Sequence, residues 1–194
     1  MKVVTLLGSP KRKGNCATVL NWAVQELEGM GHKVECHHIA QQDIKGCLGC
    51  YNCQRKLDEP GCVIKDDAPW IFERMIKADA IVYASPLYFW SFTGQMKCLL
   101  DRHMCLAKGY RTPEHKSFLD GKHAALLITC DGPIEPQTKS PKQIFDRMQK
   151  LTKFRVAGKF VVSGCTVPRN LTEDAMDVAH ELARTLAGEV MAAS

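Results

Sequence analysis

No apolar stretch of this chain approaches the roughly 18 residues that a membrane-crossing helix needs. The apolar run nearest the start, Val3 to Leu7, is also short of the roughly 7–15-residue core of a secretory signal. It leads into Lys11-Arg12-Lys13, a charged segment where a signal would carry a cleavage site. Membrane insertion and export are therefore not expected, and the chain is read as cytoplasmic. Neither G-x-x-x-x-G-K-[ST] nor G-x-G-x-x-G occurs in the first loop, because Gly14 is followed by Asn15 and Cys16. Both mononucleotide and dinucleotide fingerprints fail. No Ser-His-Asp set or carboxylate pair stands in a site-like loop, which leaves no hydrolytic centre to name. Aromatic residues make up only 7 % of the chain and are not interleaved with its basic stretches, a poor fit to nucleic-acid binding. Internal repeats, low-complexity tracts and linkers are absent, so residues 1–194 are read as one domain.

What is present is ordinary globular composition, 45 % apolar and 24 % charged over 194 residues, with 26 basic and 21 acidic side chains for a net charge of +5. A chain of this length buries a full core without disulfides. Its ten cysteines nonetheless need explaining. They amount to about 5 % of the chain, below the roughly 8–10 % of a disulfide scaffold. In a reducing compartment, clustered cysteines point to metal or redox chemistry.

Apolar patches alternate in period. Short β-rich runs fall at Val3–Leu7, Lys33–Ile39, Ala80–Ala84, Ala124–Thr129 and Lys159–Ser163. Helical spacing falls at 15–30, 67–77, 92–105, 140–153 and 172–188. Five strands alternating with five helices predict an α/β fold with a doubly wound parallel sheet between two helical layers. Five strands favour the order 2-1-3-4-5. Two stretches break the rhythm: 43–66, a cysteine-containing insertion, and 106–123.

Ligands in such sheets bind beyond the carboxyl ends of the strands. The first loop there contains Ser9, Lys11, Lys13, Gly14, Asn15 and Cys16 at a helix start, parts that suit a phosphate. Asn15 would otherwise serve as the helix cap. The loop after the third strand reads Pro86-Leu87-Tyr88-Phe89-Trp90-Ser91-Phe92, four aromatics in five residues from Tyr88 to Phe92. A planar heterocycle would gain stacking there. Asp131 and Gly132, after the fourth strand, offer polar groups to a ring edge. The first and third strands are neighbours in the expected order, so one ligand with a phosphate at one end and a flat ring at the other can span both loops. FMN has that shape.

These segments resemble a known family. VVTLLGSPKRKGNCATVL and ADAIVYASPLYFWSFTGQMKCLLDR are similar to the phosphate and isoalloxazine segments of flavodoxin-like NAD(P)H-dependent FMN reductases. GCLGCYNCQRKLDEPGCVIKDD resembles the cysteine segment of the iron–sulfur flavoproteins within that group. The similarity is good to about residue 102. It implies a flavodoxin-like fold and non-covalent FMN, with Ser9, Lys11, Lys13, Gly14, Asn15 and Cys16 at the phosphate and Pro86, Leu87, Tyr88, Phe89 and Trp90 at the ring. It implies NAD(P)H as donor, a small-molecule or protein electron acceptor, and a homodimer or homotetramer. One departure concerns Cys16, where the family usually has Thr; a thiol is the weaker donor.

Cys47-x-x-Cys50-x-x-Cys53, followed by Cys62, is the sharpest local pattern. Four thiolates suit a [4Fe–4S] cluster, and equally a zinc ion; an unloaded set is the third reading. A neighbouring flavin favours iron–sulfur, because zinc has no redox chemistry. The other six cysteines, scattered on the expected strands and helices, are read mostly as buried, inert thiols. Residues 139–159 carry seven basic side chains against Asp146 alone, a face that would attract an acidic partner or a phosphorylated cofactor. The alternatives to a reductase are a flavin-binding electron carrier without turnover and a zinc-stabilised nucleotide-binding regulatory domain.

Overall fold

The computed structural model describes residues 1–193, apart from the Arg169 side chain. The strands are β1 (Lys2–Leu7), β2 (Lys33–His38), β3 (Ala80–Pro86), β4 (Ala107–Lys108), β5 (Lys116–Ser117), β6 (His123–Thr129) and β7 (Arg155–Val162). The α-helices are α1 (Asn15–Gly29), α2 (Ala68–Lys77), α3 (Gly94–Asp101), α4 (Lys139–Thr152) and α5 (Glu173–Ala192). Five strands form one sheet in the order β2-β1-β3-β6-β7, every pair parallel. Counting sheet strands alone, this is the expected 2-1-3-4-5 arrangement. The small β4-β5 ribbon, antiparallel, lies in the stretch 106–123 that breaks the rhythm.

The central strands explain the burial. β3 from Ala80 to Ser85 and all of β6 are buried, because helices cover both faces. On one face Val19, Leu27, Ala179, Leu182 and Leu186 of α1 and α5 pack on Val82, Ala125 and Leu127. On the other, Ile71, Phe72, Met96, Leu99 and Phe145 of α2, α3 and α4 pack on Leu6, Ile81 and Leu126. Each such side chain contributes about 1.5–3 kcal/mol of transfer free energy.

Two boundaries differ from the periodicity. The helix expected over 92–105 is α-helical only to Asp101 and continues as a tighter 3₁₀ turn over Arg102–Leu106. β7 begins at Arg155, four residues before the expected strand. A bulge between Ala124 and Ala125 sets Val156 and Gly158 opposite them, so Ala157-Gly158 resembles a break in sequence.

Candidate functional site: a cleft at the strand ends and a cysteine cavity

The loop from β1 to α1 is held from below. Gly8 donates its N–H to the Ala84 carbonyl (2.8 Å) and accepts from the Thr93 hydroxyl (2.7 Å). A Cβ on Gly8 would lie 2.8 Å from that of Met96, so only glycine lets α3 approach this closely. Ser9 is buried; its hydroxyl accepts from the Lys11 N–H and donates to the Lys11 carbonyl, both at 3.2 Å. Gly14, not Asn15, is the cap of α1, and no side chain caps the helix. The first turn carries no acid. Its N–H groups meet no capping side chain, and the positive end of the helix lies behind the space they face, an arrangement that suits an anion. A Cβ on Gly14 would crowd that space, 3.0 Å from the Lys11 Cβ and 3.6 Å from the Ser9 hydroxyl. The amide oxygen of Asn15 is buried with no partner among the described residues, an acceptor that a bound hydroxyl would satisfy.

A cleft of about 310 Å³ opens above this loop. Ser9, Lys11, Lys13, Gly14, Asn15, Cys16, Pro86, Leu87, Tyr88 and Asp131 line it, all singled out from sequence. Gly132 stands outside the wall, with its carbonyl accepting from the Cys130 thiol (3.5 Å). Phe89 and Trp90 also stand outside it. The expected aromatic shelf is instead a hairpin: Tyr88 and Ser91 exchange backbone hydrogen bonds of 2.9 and 3.0 Å around Phe89 and Trp90. Both tip residues take left-handed φ values, 49° and 57°, as a type I′ turn demands. They are 91 % and 57 % exposed, ring against ring at 5.0 Å, so only Tyr88 of the three aromatics reaches the cleft.

Thr129 and Cys130, in the loop that ends β6, also line the cleft, and sequence reasoning missed a further wall: Cys165, Thr166, Val167 and Pro168. The last four follow β7, where Cys165 donates its N–H to the Cys130 carbonyl at 2.9 Å. The rule that ligands sit beyond strand carboxyl ends pointed there, but the segment has no chemical motif. Burial pushes the Cys16 thiol up to about 12, against a hydrogen bond with Thr129, and pushes Cys165 to about 11 with the help of Cys130. These are neutral thiols near pH 7.

The four clustered cysteines share a second cavity of about 370 Å³ with Cys105 and the apolar Leu48, Val63, Ile64 and Met104. The insertion is a loop closed at its neck. Asp67 donates its N–H to the Asp43 carbonyl (2.9 Å) while its carboxylate accepts from the Asp43 N–H (2.8 Å). The Asp66 carboxylate accepts from the Lys45 and Ala68 N–H groups at 2.9 and 3.1 Å. It also holds the Arg102 guanidinium in a bidentate pair at 2.6 and 3.2 Å, both side chains fully buried. Burial pushes Asp66 up, but Arg102 and those N–H groups outweigh it and hold the carboxyl below its ordinary range. The Lys108 ammonium, also buried, donates to the Cys53 and Pro60 carbonyls at 2.5 and 3.0 Å, and Gln54 donates to Met104 and Ala107 at 2.9 Å each. The N–H of Asn52 lowers the exposed Cys50 thiol. Burial, then Cys62 and Cys53, push Cys105 to about 12.

The thiols are gathered in one cavity but not closed into a ligand set. Among the described residues no group of three or more His, Cys, Asp or Glu is positioned to hold a metal ion. The two cavities have no wall residue in common among the described residues. They lie toward opposite ends of α3, whose eight residues rise about 12 Å.

A parallel sheet in this order, with an uncapped helix start and an aromatic side chain at the carboxyl ends of its strands, defines the flavodoxin-like class of α/β proteins. The sequence model of the NADPH-dependent FMN reductase family matches residues 1–139. The chain belongs to that family. An iron–sulfur flavoprotein of Archaeoglobus fulgidus is 34 % identical over 137 residues, 71 % of this chain and 58 % of that protein. One from Methanosarcina thermophila is 32 % identical over 149 residues, 76 % of this chain and 73 % of that protein. The chain thus spans little more than half the length of the first of these relatives. Among solved structures, an FMN-dependent NADH-azoreductase of Bacillus anthracis in complex with FMN superimposes with a TM-score of 0.71 at 14 % identity, over 96 % of this chain and all of that one. That likeness concerns the fold. No helix among the described residues is long and apolar enough to cross a membrane.

Proposed function

We propose that the chain is an FMN-dependent NAD(P)H oxidoreductase. The observation that carries this is the uncapped start of α1 with the partnerless Asn15 amide, in one cleft with Tyr88. These residues fit FMN, the flavin of the family to which the chain belongs. The first-turn N–H groups of α1, with Lys11 and Lys13, would hold the phosphate. Asn15 would take a hydroxyl, and Pro86, Leu87 and Tyr88 would flank the ring. Bound FMN supplies hydride acceptance and electron transfer in one- or two-electron steps. The chain supplies orientation, a cationic phosphate seat and a site walled by buried thiols. Cys16, neutral and engaged with Thr129, is a poor phosphate donor, so the load falls on backbone and lysines.

The finer parts of the reading are a [4Fe–4S] cluster on Cys47, Cys50, Cys53 and Cys62, a nicotinamide donor, and a homodimer or homotetramer. A cavity lined by all four thiols and by apolar side chains offers the donor chemistry of an iron–sulfur group. The iron–sulfur flavoproteins among its relatives support the same assignment. The test is an anaerobic titration with FMN, then NADPH or NADH, followed by flavin absorbance and fluorescence. Binding and bleaching of the flavin are expected. Lys11→Ala or Lys13→Ala should each weaken FMN about tenfold, more in low salt than in high. Binding without reduction by either nicotinamide leaves the electron-carrier reading, and absence of binding removes both.

A further inference from the structure

Lys108 is fully buried, yet no carboxylate pairs with it among the described residues. Glu59, the acid nearest in charge, is already paired with Lys56 at 2.6 Å. The other buried cation of this region, Arg102, is neutralised by Asp66. A buried ammonium without a counter-ion is costly. A lysine serving only as a tether would be replaced at lower cost by a neutral amide, which also donates to carbonyls. The groups around the Lys108 ammonium are the carbonyls of Cys53 and Pro60 and the thiols of Cys53, Cys62 and Cys105. Cys53 lies on one arm of the insertion, Pro60 on the other, two residues before Cys62. The Phe118 ring lies 5.7 Å from the same ammonium and Glu59 acts on it from a distance, but no carboxylate touches it among the described residues, so the charge is placed where thiolates would form.

We infer that Lys108 is the fixed counter-charge of the cysteine cavity: a positioning residue that joins both arms of the loop and offsets the negative charge of a thiolate-bound iron–sulfur group. This rests on the cluster reading given above. Four thiolates leave such a group net negative, and each one-electron reduction adds one more negative charge. A buried cation within a few ångströms favours the more negative state, so it raises the reduction potential and slows loss of iron.

The experiment reconstitutes the full chain anaerobically with ferrous iron and sulfide. It measures iron per chain, iron loss to a chelator, and midpoint potential by a redox titration read by electron paramagnetic resonance. Three variants separate charge from tether: Lys108→Gln keeps donors without charge, Lys108→Met removes both, and Lys108→Arg keeps both. Lys108→Gln and Lys108→Met are expected to lower the potential and to lose iron at least tenfold faster, while Lys108→Arg stays near the natural chain on both readings. Equal behaviour of the Gln and Arg variants, whether both match the natural chain or both lose iron, overturns the counter-charge. A natural chain that takes up no iron overturns the cluster reading and the inference together. Circular dichroism of each apo variant separates misfolding from loss of charge. If Lys108→Gln misfolds, Lys108→Asn, which likewise keeps amide donors without charge, takes its place.

Discussion

His103 shows how a single side chain ties packing to solution behaviour. It is buried, with Nε2 3.0 Å from the Tyr83 hydroxyl and Nδ1 2.9 Å from the Leu99 carbonyl. Burial lowers its pKa to about 4. An unfolded histidine titrates near 6.5. The folded value is depressed, so the contribution to stability is complete above about pH 6.5 and is lost as pH falls toward 4. In full it amounts to about 3 kcal/mol. Urea unfolding at pH 7 and pH 4.5 should show that loss, and His103→Gln should flatten it. A His103→Gln variant with the same pH dependence would show that other groups are responsible. The thiols differ in the same residue-level way. Cys50 is exposed and its pKa is lowered by the Asn52 N–H, whereas Cys16 and Cys105 are buried with raised values. Brief alkylation of the native chain at pH 7, read by peptide mass spectrometry, should modify Cys50 and spare Cys16 and Cys105.

Among the elements, the hairpin tip 88–91 departs furthest from local preference. Type I′ turns favour Asn-Gly because both central residues need positive φ, and here the positions hold Phe89 and Trp90. Left-handed bulky residues cost about 1–3 kcal/mol each. The double variant Phe89→Asn with Trp90→Gly should raise the stability by about 1–3 kcal/mol in urea unfolding, without changing the fold. No gain, or a loss, would mean that packing between the two rings offsets the backbone cost. Sequence pattern identified all five sheet strands and all five helices. It could not see the hairpin, because an aromatic cluster after a strand reads the same whether the rings lie in the cleft or project from a turn. It also missed the wall after β7, where the residues that line the cleft, from Cys165 to Pro168, carry no motif and come to it only because β7 ends beside β6.

Across the whole molecule, one buried ion pair joins distant parts of the chain. Arg102 follows α3, Asp66 precedes α2, and the same guanidinium reaches the Lys45 carbonyl at 3.1 Å before the first clustered cysteine. Removing one partner leaves a buried charge alone, which costs about 3–5 kcal/mol. Asp66→Asn should destabilise by that amount in urea unfolding and speed amide hydrogen exchange over residues 43–67 beyond the rest of the molecule. Uniform acceleration would show that the pair supports the core in general and not the loop.

The sequence by itself determined the layering, the strand order and the place of the basic loop that opens α1. Those depend on apolar period, on the right-handed crossover and on glycine and cations at a strand end, all local properties of the chain. It also determined that four cysteines form one group, since their spacing is short. Only the tertiary structure decided what stands opposite them. The closing of the loop at Asp66 and Asp67 brings in Arg102, Lys108 and Cys105 from about forty residues further along. Burial, and with it the cost of an uncompensated charge, arises only when segments far apart in sequence exclude water between them.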